Sequence, residues 1–327
     1  MKTATNLEMQ SPPHRATGMD WRGRDVVSIR DFSRKDIDAF LELAERFVPA
    51  SLGQKRNTSL EGRILATLFY EPSTRTRLSF EAAMQRLGGG VIGFSDPSVT
   101  SNKKGETLAD TVRIVDKLAD ALVLRHPKEG SARLAAEYAE HPVVNAGDGA
   151  GEHPTQTLLD LFTIQHEFRK IDGLTIVLLG DLKFGRTVHS LVTALAHYSV
   201  KMILVSPSTL QLPEEVVHEA RERGATLQAT SDLEGALAEA DVLYVTRIQQ
   251  ERFIDPEEYR KVAGTYRITN ALLKKGKRNL IVLHPLPRVD EIHPEVDASP
   301  HARYFQQAAN GLPVRMAILA SMLGGKA

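Results

Sequence analysis

Cysteine is absent from the 327 residues, which excludes disulfides, zinc–thiolate sites, iron–sulfur clusters and a cysteine nucleophile. Net charge is absent too, because 41 Lys and Arg balance 41 Asp and Glu. The basic excess that drives nucleic-acid binding is therefore missing. No apolar run approaches the ~18 residues needed to span a bilayer. The N-terminus, M-K-T-A-T-N-L-E-M-Q-S-P-P-H-R, has no apolar signal-peptide core. These absences predict a cytoplasmic protein with no nucleic-acid or membrane partner. The sequence also lacks a G-x-S-x-G elbow, an H-E-x-x-H pair and any acidic cluster with metal-ligand spacing, so neither a metal nor another cofactor is expected.

What is present is ordinary for a globular chain: 42% hydrophobic and 25% charged residues. The length suits two domains of roughly 150 residues each. Residues 1–20, with Pro12 and Pro13 and no periodicity, read as a flexible tail. After it, short apolar runs alternate with segments of helical period. The runs begin at Ile64, Val91, Ala121 and Val143, and then at Leu174, Met202, Thr226, Val242 and Leu280. Near-continuous apolar strands alternating with helices imply parallel sheets covered on both faces. The expected fold is therefore α/β, with two doubly wound domains. They span 21–153 and 154–304 and are joined by a helix from about Pro154 to Phe168. A final helical segment, within 305–327, is long enough to pack back on the first domain.

In open parallel sheets, ligands bind beyond the carboxyl ends of the strands. There the sequence places E-P-S-T-R-T-R from Glu71, Arg125-His126, G-D-G-A-G-E-H-P-T-Q from Gly147, G-D-L-K-F-G-R-T from Gly180, T-R-I-Q from Thr246 and H-P-L-P-R from His284. Arg75, Arg125, Arg186 and Arg247 follow four of these strands, a focused positive site on a neutral protein. Ser73, Thr74 and Thr76 surround Arg75 at a helix start, where free N–H groups and the helix dipole attract phosphate, and Arg75 adds a planar fork. His153 falls next to the N-cap before Pro154, with Gln156 about one turn on. The dipole there should keep the imidazole neutral, although a lone histidine so placed is more often structural. The segment from Gly180 resembles a phosphate-binding G-x-x-x-x-G-K-[ST] loop, but Arg186 stands at the lysine position, which makes an NTPase a poor fit. Lys103 and Lys104 lie in a polar loop that by itself reads as a solvated turn.

Taken together, F-Y-E-P-S-T-R-T-R-L-S-F, S-N-K-K-G-E-T-L-A-D-T, L-R-H-P, N-A-G-D-G-A-G-E-H-P-T-Q-T-L-L-D, G-D-L-K-F-G-R-T-V-H-S-L, T-R-I-Q and L-H-P-L-P-R-V-D-E-I resemble the catalytic chains of the aspartate transcarbamoylases, in order and over nearly the whole chain after residue 20. Ornithine transcarbamoylases share the S-T-R-T loop and H-P-x-Q, but typically carry H-C-L-P and an S-M-G loop. Here His284-Pro285-Leu286-Pro287 has no cysteine, and Ser321-Met-Leu-Gly lies in the terminal helix.

The resemblance implies transfer of a carbamoyl group from carbamoyl phosphate to L-aspartate, the committed step of pyrimidine (UMP) biosynthesis. It implies that 21–153, completed by 305–327, binds carbamoyl phosphate and that 154–304 binds aspartate. Ser73, Thr74, Arg75 and Thr76 would hold the phosphate. Thr76, Arg125 and His153 would contact the carbonyl oxygen, and Gln156 with the Leu286 backbone would contact the amino group. Arg186 and Arg247 would take the aspartate carboxylates, with Gln249 supporting Arg247 and Leu286 and Pro287 alongside. Ser101 and Lys104 match the loop that family members extend into a neighbour's site, touching both substrates, so a homotrimer with shared active sites is implied. Regulatory chains are a further partner the resemblance allows. The alternatives are a transcarbamoylase for ornithine or another amino acid, and a catalytically silent scaffold homologue.

Overall fold

The computed structural model describes residues 20–250, 253, 255–262 and 264–327, so the expected tail lies outside the described residues except for Asp20. The first α-helix among the described residues is α1 (Arg34–Ser51), where Ser33 and Asp36 form a reciprocal capping box. Next come β1 (Ile64–Phe69), α2 (Thr74–Arg86), β2 (Gly90–Phe94), α3 (Leu108–Asp116), β3 (Ala121–His126), α4 (Ser131–Tyr138), β4 (Val143–Asp148) and α5 (Pro154–Phe168). The second half runs β5 (Thr175–Leu179), α6 (Arg186–Leu195), β6 (Lys201–Val205), α7 (Glu214–Glu222), β7 (Thr226–Thr230), α8 (Leu233–Glu239), β8 (Val242–Val245), α9 (Pro256–Val262), α10 (Asn270–Leu273), β9 (Ile281–Leu283) and α11 (Tyr304–Leu323).

Each of the nine apolar runs forms a strand, and the pairings between strands are parallel. The strand orders are β2-β1-β3-β4 and β7-β6-β5-β8-β9. Inner strands such as β3 and β8 are apolar at successive positions because both faces are covered, whereas the edge strands β2 and β7 are only half-buried. This is the α/β fold of two helix-flanked parallel sheets. Helix α5 is buried continuously from Pro154 to Ile164, which is why its apolar residues occur all around it rather than in one stripe. Helix α11 returns to pack on α1, α2 and α5. One hydrophobic cluster runs from Leu65 and Val123 in the first sheet through α5 and α11 to Ile176 and Val242 in the second. No described helix is long and apolar enough to cross a membrane.

The strand orders locate the site. In the first sheet the chain proceeds from β1 outward to β2, then crosses back to β3 on the other side. In the second it proceeds from β5 to β6 and β7, then crosses back to β8. The crevices at these reversals, β1/β3 and β5/β8, are where doubly wound sheets accept ligands.

Candidate active site

The loops leaving β1, β3, β5 and β8 line one cleft of about 760 Å³. From the first sheet come Ser73, Thr74, Arg75 and Thr76 at the start of α2, and Arg125 at the end of β3. His153 and Gln156 begin α5. From the second sheet come Arg186, Arg247 and Gln249, and the loop after β9 adds Leu286 and Pro287. Residues from Ser73 to Pro287 are thus brought together as the sequence suggested. Ser101 and Lys104 are not: they form an exposed 3₁₀ turn, Ser101–Lys104, outside the lining of this cleft.

Ser73 takes the N-cap position of α2 with an extended backbone, but its hydroxyl does not cap the helix. That leaves the hydroxyl and the first-turn N–H groups as donors for an anion. Arg125 is largely buried. It donates to the Ala146 carbonyl at 3.1 Å and lies 3.5 Å from the Glu71 carboxylate. Burial, followed by the like charges of Arg186 and Arg75, pulls its pKa down to about 10, with Glu71 opposing. It still carries its charge at neutral pH. Burial likewise lowers Arg75, so these cations sit together under a repulsion that an anion would relieve.

His153 occupies the N-cap of α5 and is 5% exposed. Its pKa falls well below 6.5, first through burial and then through Arg186, Arg125 and Arg315. Neutrality follows as expected from the sequence, with desolvation and neighbouring guanidinium groups as the main causes. Its Nδ1 is buried and has no hydrogen-bond partner among the described residues.

Arg186 opens α6 behind Gly185 and donates to the Gly149 carbonyl in the β4–α5 loop. Gln249 donates through its side-chain amide to the Phe184 carbonyl at 3.3 Å, beside Arg186. Leu286 adopts a left-handed backbone, φ 53°. Its N–H donates to His284 Nδ1 at 2.7 Å, while His284 Nε2 faces Glu291 at 2.6 Å.

Several residues that matter to this geometry carry no sequence signal strong enough to single them out. Glu71 stands two residues before Ser73 of the S-T-R-T-R loop, and its contact with Arg125 needs the β1–β3 pairing to be seen. Asp160 and Tyr244 lie buried behind the cleft, from α5 and β8, against Gln307 and Arg315 of α11, which are buried at its wall. Burial pushes the Asp160 carboxyl up to about 7 against three hydrogen-bond donors. It also brings Arg315 down to about 10. The spacing of four between Gln156 and Asp160 is the one local hint, since it places them on adjacent turns of a helix. No cluster of three potential metal-ligating side chains occurs among the described residues.

Comparison with known proteins separates the two halves of the cleft in the same way. Residues 24–166 match the model of the aspartate/ornithine carbamoyltransferase carbamoyl-P binding domain, and residues 172–322 match the Asp/Orn binding domain of the same family. The chain belongs to the aspartate/ornithine carbamoyltransferase family. It is 63% identical over 307 residues to the aspartate carbamoyltransferase catalytic subunit of Thermococcus gammatolerans, covering 94% of this chain and 99% of that one. Identity to the catalytic subunit of Archaeoglobus fulgidus is 56% over 300 residues, covering 92% and 99%. Among solved structures, Trypanosoma cruzi aspartate transcarbamoylase in complex with carbamoyl phosphate and aspartate superposes with a TM-score of 0.88 at 44% identity, covering 93% of this chain and 98% of that one. The catalytic subunit of M. jannaschii aspartate transcarbamoylase gives 0.86 at 49% identity, covering 92% and 98%.

Proposed function

We propose that this protein is an aspartate carbamoyltransferase: the amine of L-aspartate attacks the carbamoyl carbon of carbamoyl phosphate, the C–O bond to phosphate breaks, and N-carbamoyl-L-aspartate and phosphate leave. One observation carries the choice of second substrate. The second sheet sends two guanidinium groups, Arg186 and Arg247, into the cleft, which suits the two carboxylates of aspartate and would repel the side-chain ammonium of ornithine.

In this reading, Ser73, Thr74, Arg75 and Thr76 hold the phosphate. Thr76, Arg125 and neutral His153 donate to the carbonyl oxygen as negative charge grows on it, the arrangement in which losing one donor costs roughly 100–1,000-fold in rate. Gln156 and the Leu286 backbone receive the amino group. Arg186 and Arg247, with Gln249, Leu286 and Pro287, hold aspartate. Drawing two anions side by side offsets both their repulsion and the entropy of encounter, an effect worth ~7–11 kcal/mol in favourable systems. His153 with its lowered pKa is a poor base, which leaves the departing phosphate to accept the amine proton.

The assembly in this reading is a homotrimer in which Ser101 and Lys104 of one copy reach the cleft of the next. Their position outside the cleft of their own chain supports it. Association with a separate regulatory chain fits the name catalytic subunit carried by the relatives. The phosphate-site part is 21–153 with 305–327, and the aspartate part is 154–304. Trypanosoma cruzi aspartate transcarbamoylase has been solved with N-(phosphonacetyl)-L-aspartic acid, which joins a phosphonate to two carboxylates. Calorimetry should find this compound binding tightly here, with Arg75→Ala and Arg247→Ala each weakening it by tenfold or more. No binding by the wild-type protein would overturn the proposal.

A further inference from the structure

We infer that Asp160 is the positioning residue that determines which end of the Gln156 side-chain amide is presented to the carbamoyl amino group. The inference rests on the carbamoyl-transfer reading above and extends it to a residue that does not line the cleft.

A chain of hydrogen bonds with only one self-consistent direction leads to this assignment. It starts at the backbone N–H of His284, which can only donate, and which lies 2.8 Å from Gln307 Oε1. The oxygen end of Gln307 is thereby committed, so its Nε2 is the end that faces Asp160 Oδ1, at 2.6 Å. Gln156 Nε2 donates to the same oxygen at 2.8 Å, and the Tyr244 hydroxyl donates to Oδ2 at 2.8 Å. Asp160 is completely buried, and its carboxylate accepts from three elements: α5, α11 and β8. A carboxylate has no N–H to offer. With its Nε2 committed to Asp160, Gln156 has its amide oxygen left for the cleft that it lines. A carbamoyl –NH2 is a donor, and an amide oxygen is its complement.

The same group governs the second proposed acceptor. His284, whose N–H is held by Gln307, accepts the Leu286 N–H on its Nδ1 at 2.7 Å. That bond fixes the left-handed turn at Leu286. Asp160 therefore organises both proposed partners of the amino group, Gln156 directly and Leu286 through Gln307 and His284. Unsatisfied donors would otherwise be left buried on all three sides, a situation that selects one arrangement strongly.

The test compares three ligands without aspartate: carbamoyl phosphate, acetyl phosphate (a methyl group where the amino group was) and inorganic phosphate. Binding is measured by calorimetry on the full chain at about pH 8, where the carboxylate form dominates. Asp160→Asn can donate to the Gln156 oxygen and turn its amide round, placing –NH2 against –NH2. We expect roughly tenfold weaker binding of carbamoyl phosphate, with acetyl phosphate and phosphate nearly unchanged. Asp160→Asn should add nothing once Gln156→Ala is present, as a shared interaction requires. Should Asp160→Asn not fold, Gln307→Met breaks the same chain without adding charge and should lower the carbamoyl-to-acetyl preference in the same direction. Equal weakening of all three ligands, or an unchanged preference in a folded variant, would overturn the role of Asp160. A wild-type protein with no preference for carbamoyl over acetyl phosphate would instead overturn the carbamoyl-transfer reading itself.

Discussion

Arg186, the first residue of α6 behind the second sheet, donates to the backbone carbonyl of Gly149 in the loop that leaves the first sheet. A cation assigned to the second substrate is thus seated on the structure that holds the first. Arg186→Lys keeps the charge but loses the planar fork that can hold this carbonyl and a carboxylate together. The half-saturating aspartate concentration should rise by tenfold or more, and that for carbamoyl phosphate far less. Arg247→Ala should show the same asymmetry. Steady-state kinetics with each substrate varied in turn checks both, and an unchanged aspartate requirement would remove these residues from the aspartate site.

Gly147 should not tolerate a side chain. Its φ is +113°, and a β-carbon there would lie 3.0 Å from Arg186 Nη2 and 3.1 Å from Arg125 Nη1. Gly147→Ala is expected to cost about 1–3 kcal/mol of stability through its backbone alone. It should also reduce turnover in protein that remains folded, because two guanidinium groups must move. Denaturant unfolding beside kinetics at low temperature separates the two effects.

His153 has a folded-state pKa below the ordinary 6.5. As pH falls below that value the unfolded chain binds a proton that the folded chain refuses, so this histidine lowers stability progressively on the acid side and contributes no pH dependence above it. His153→Asn should flatten part of the decline in unfolding free energy between about pH 6.5 and 5. The same substitution or His153→Ala should slow turnover strongly while phosphate binding persists. Wild-type turnover in His153→Ala would exclude the carbonyl-polarising role.

The nine strands and α5 were legible because covered parallel strands are nearly continuous apolar runs and Pro154 marks a helix start. The edge strands β2 and β7 were legible despite poorer burial because their neighbours set the alternation. Helix α1 was not singled out: its stripe, from Ile37 through Leu41 and Ala44 to Phe47, lies ahead of the first strand, outside the alternating pattern. The cleft arginines were legible because each lies at the carboxyl end of a strand or in the loop or helix start that comes next. The Asp160 group was not, since Gln307 lies 147 residues further on and only the return of α11 onto α5 brings the two together.

The proposed sharing of sites between copies calls for a test by mixing. Arg75→Ala and Lys104→Ala should each be nearly inactive, because each removes a cation facing a bound dianion. Dissociated and remixed 1:1, they form hybrids in which one site in three joins an intact Lys104 to an intact Arg75, so activity should recover toward about a quarter of wild type. No recovery, with hybrids confirmed by native mass spectrometry, would place both residues in the site of one chain or leave Lys104 in a solvated turn.

The most direct measurement of the central claim is a competition in one tube: purified protein, ¹³C-labelled carbamoyl phosphate, and equal concentrations of L-aspartate and L-ornithine, followed by NMR. The account predicts that N-carbamoyl-L-aspartate appears in step with phosphate, that carbamoyl-ornithine stays at the uncatalysed level, and that Arg75→Ala abolishes the signal. Preferential labelling of ornithine, or no transfer to either amine by folded protein, would contradict it.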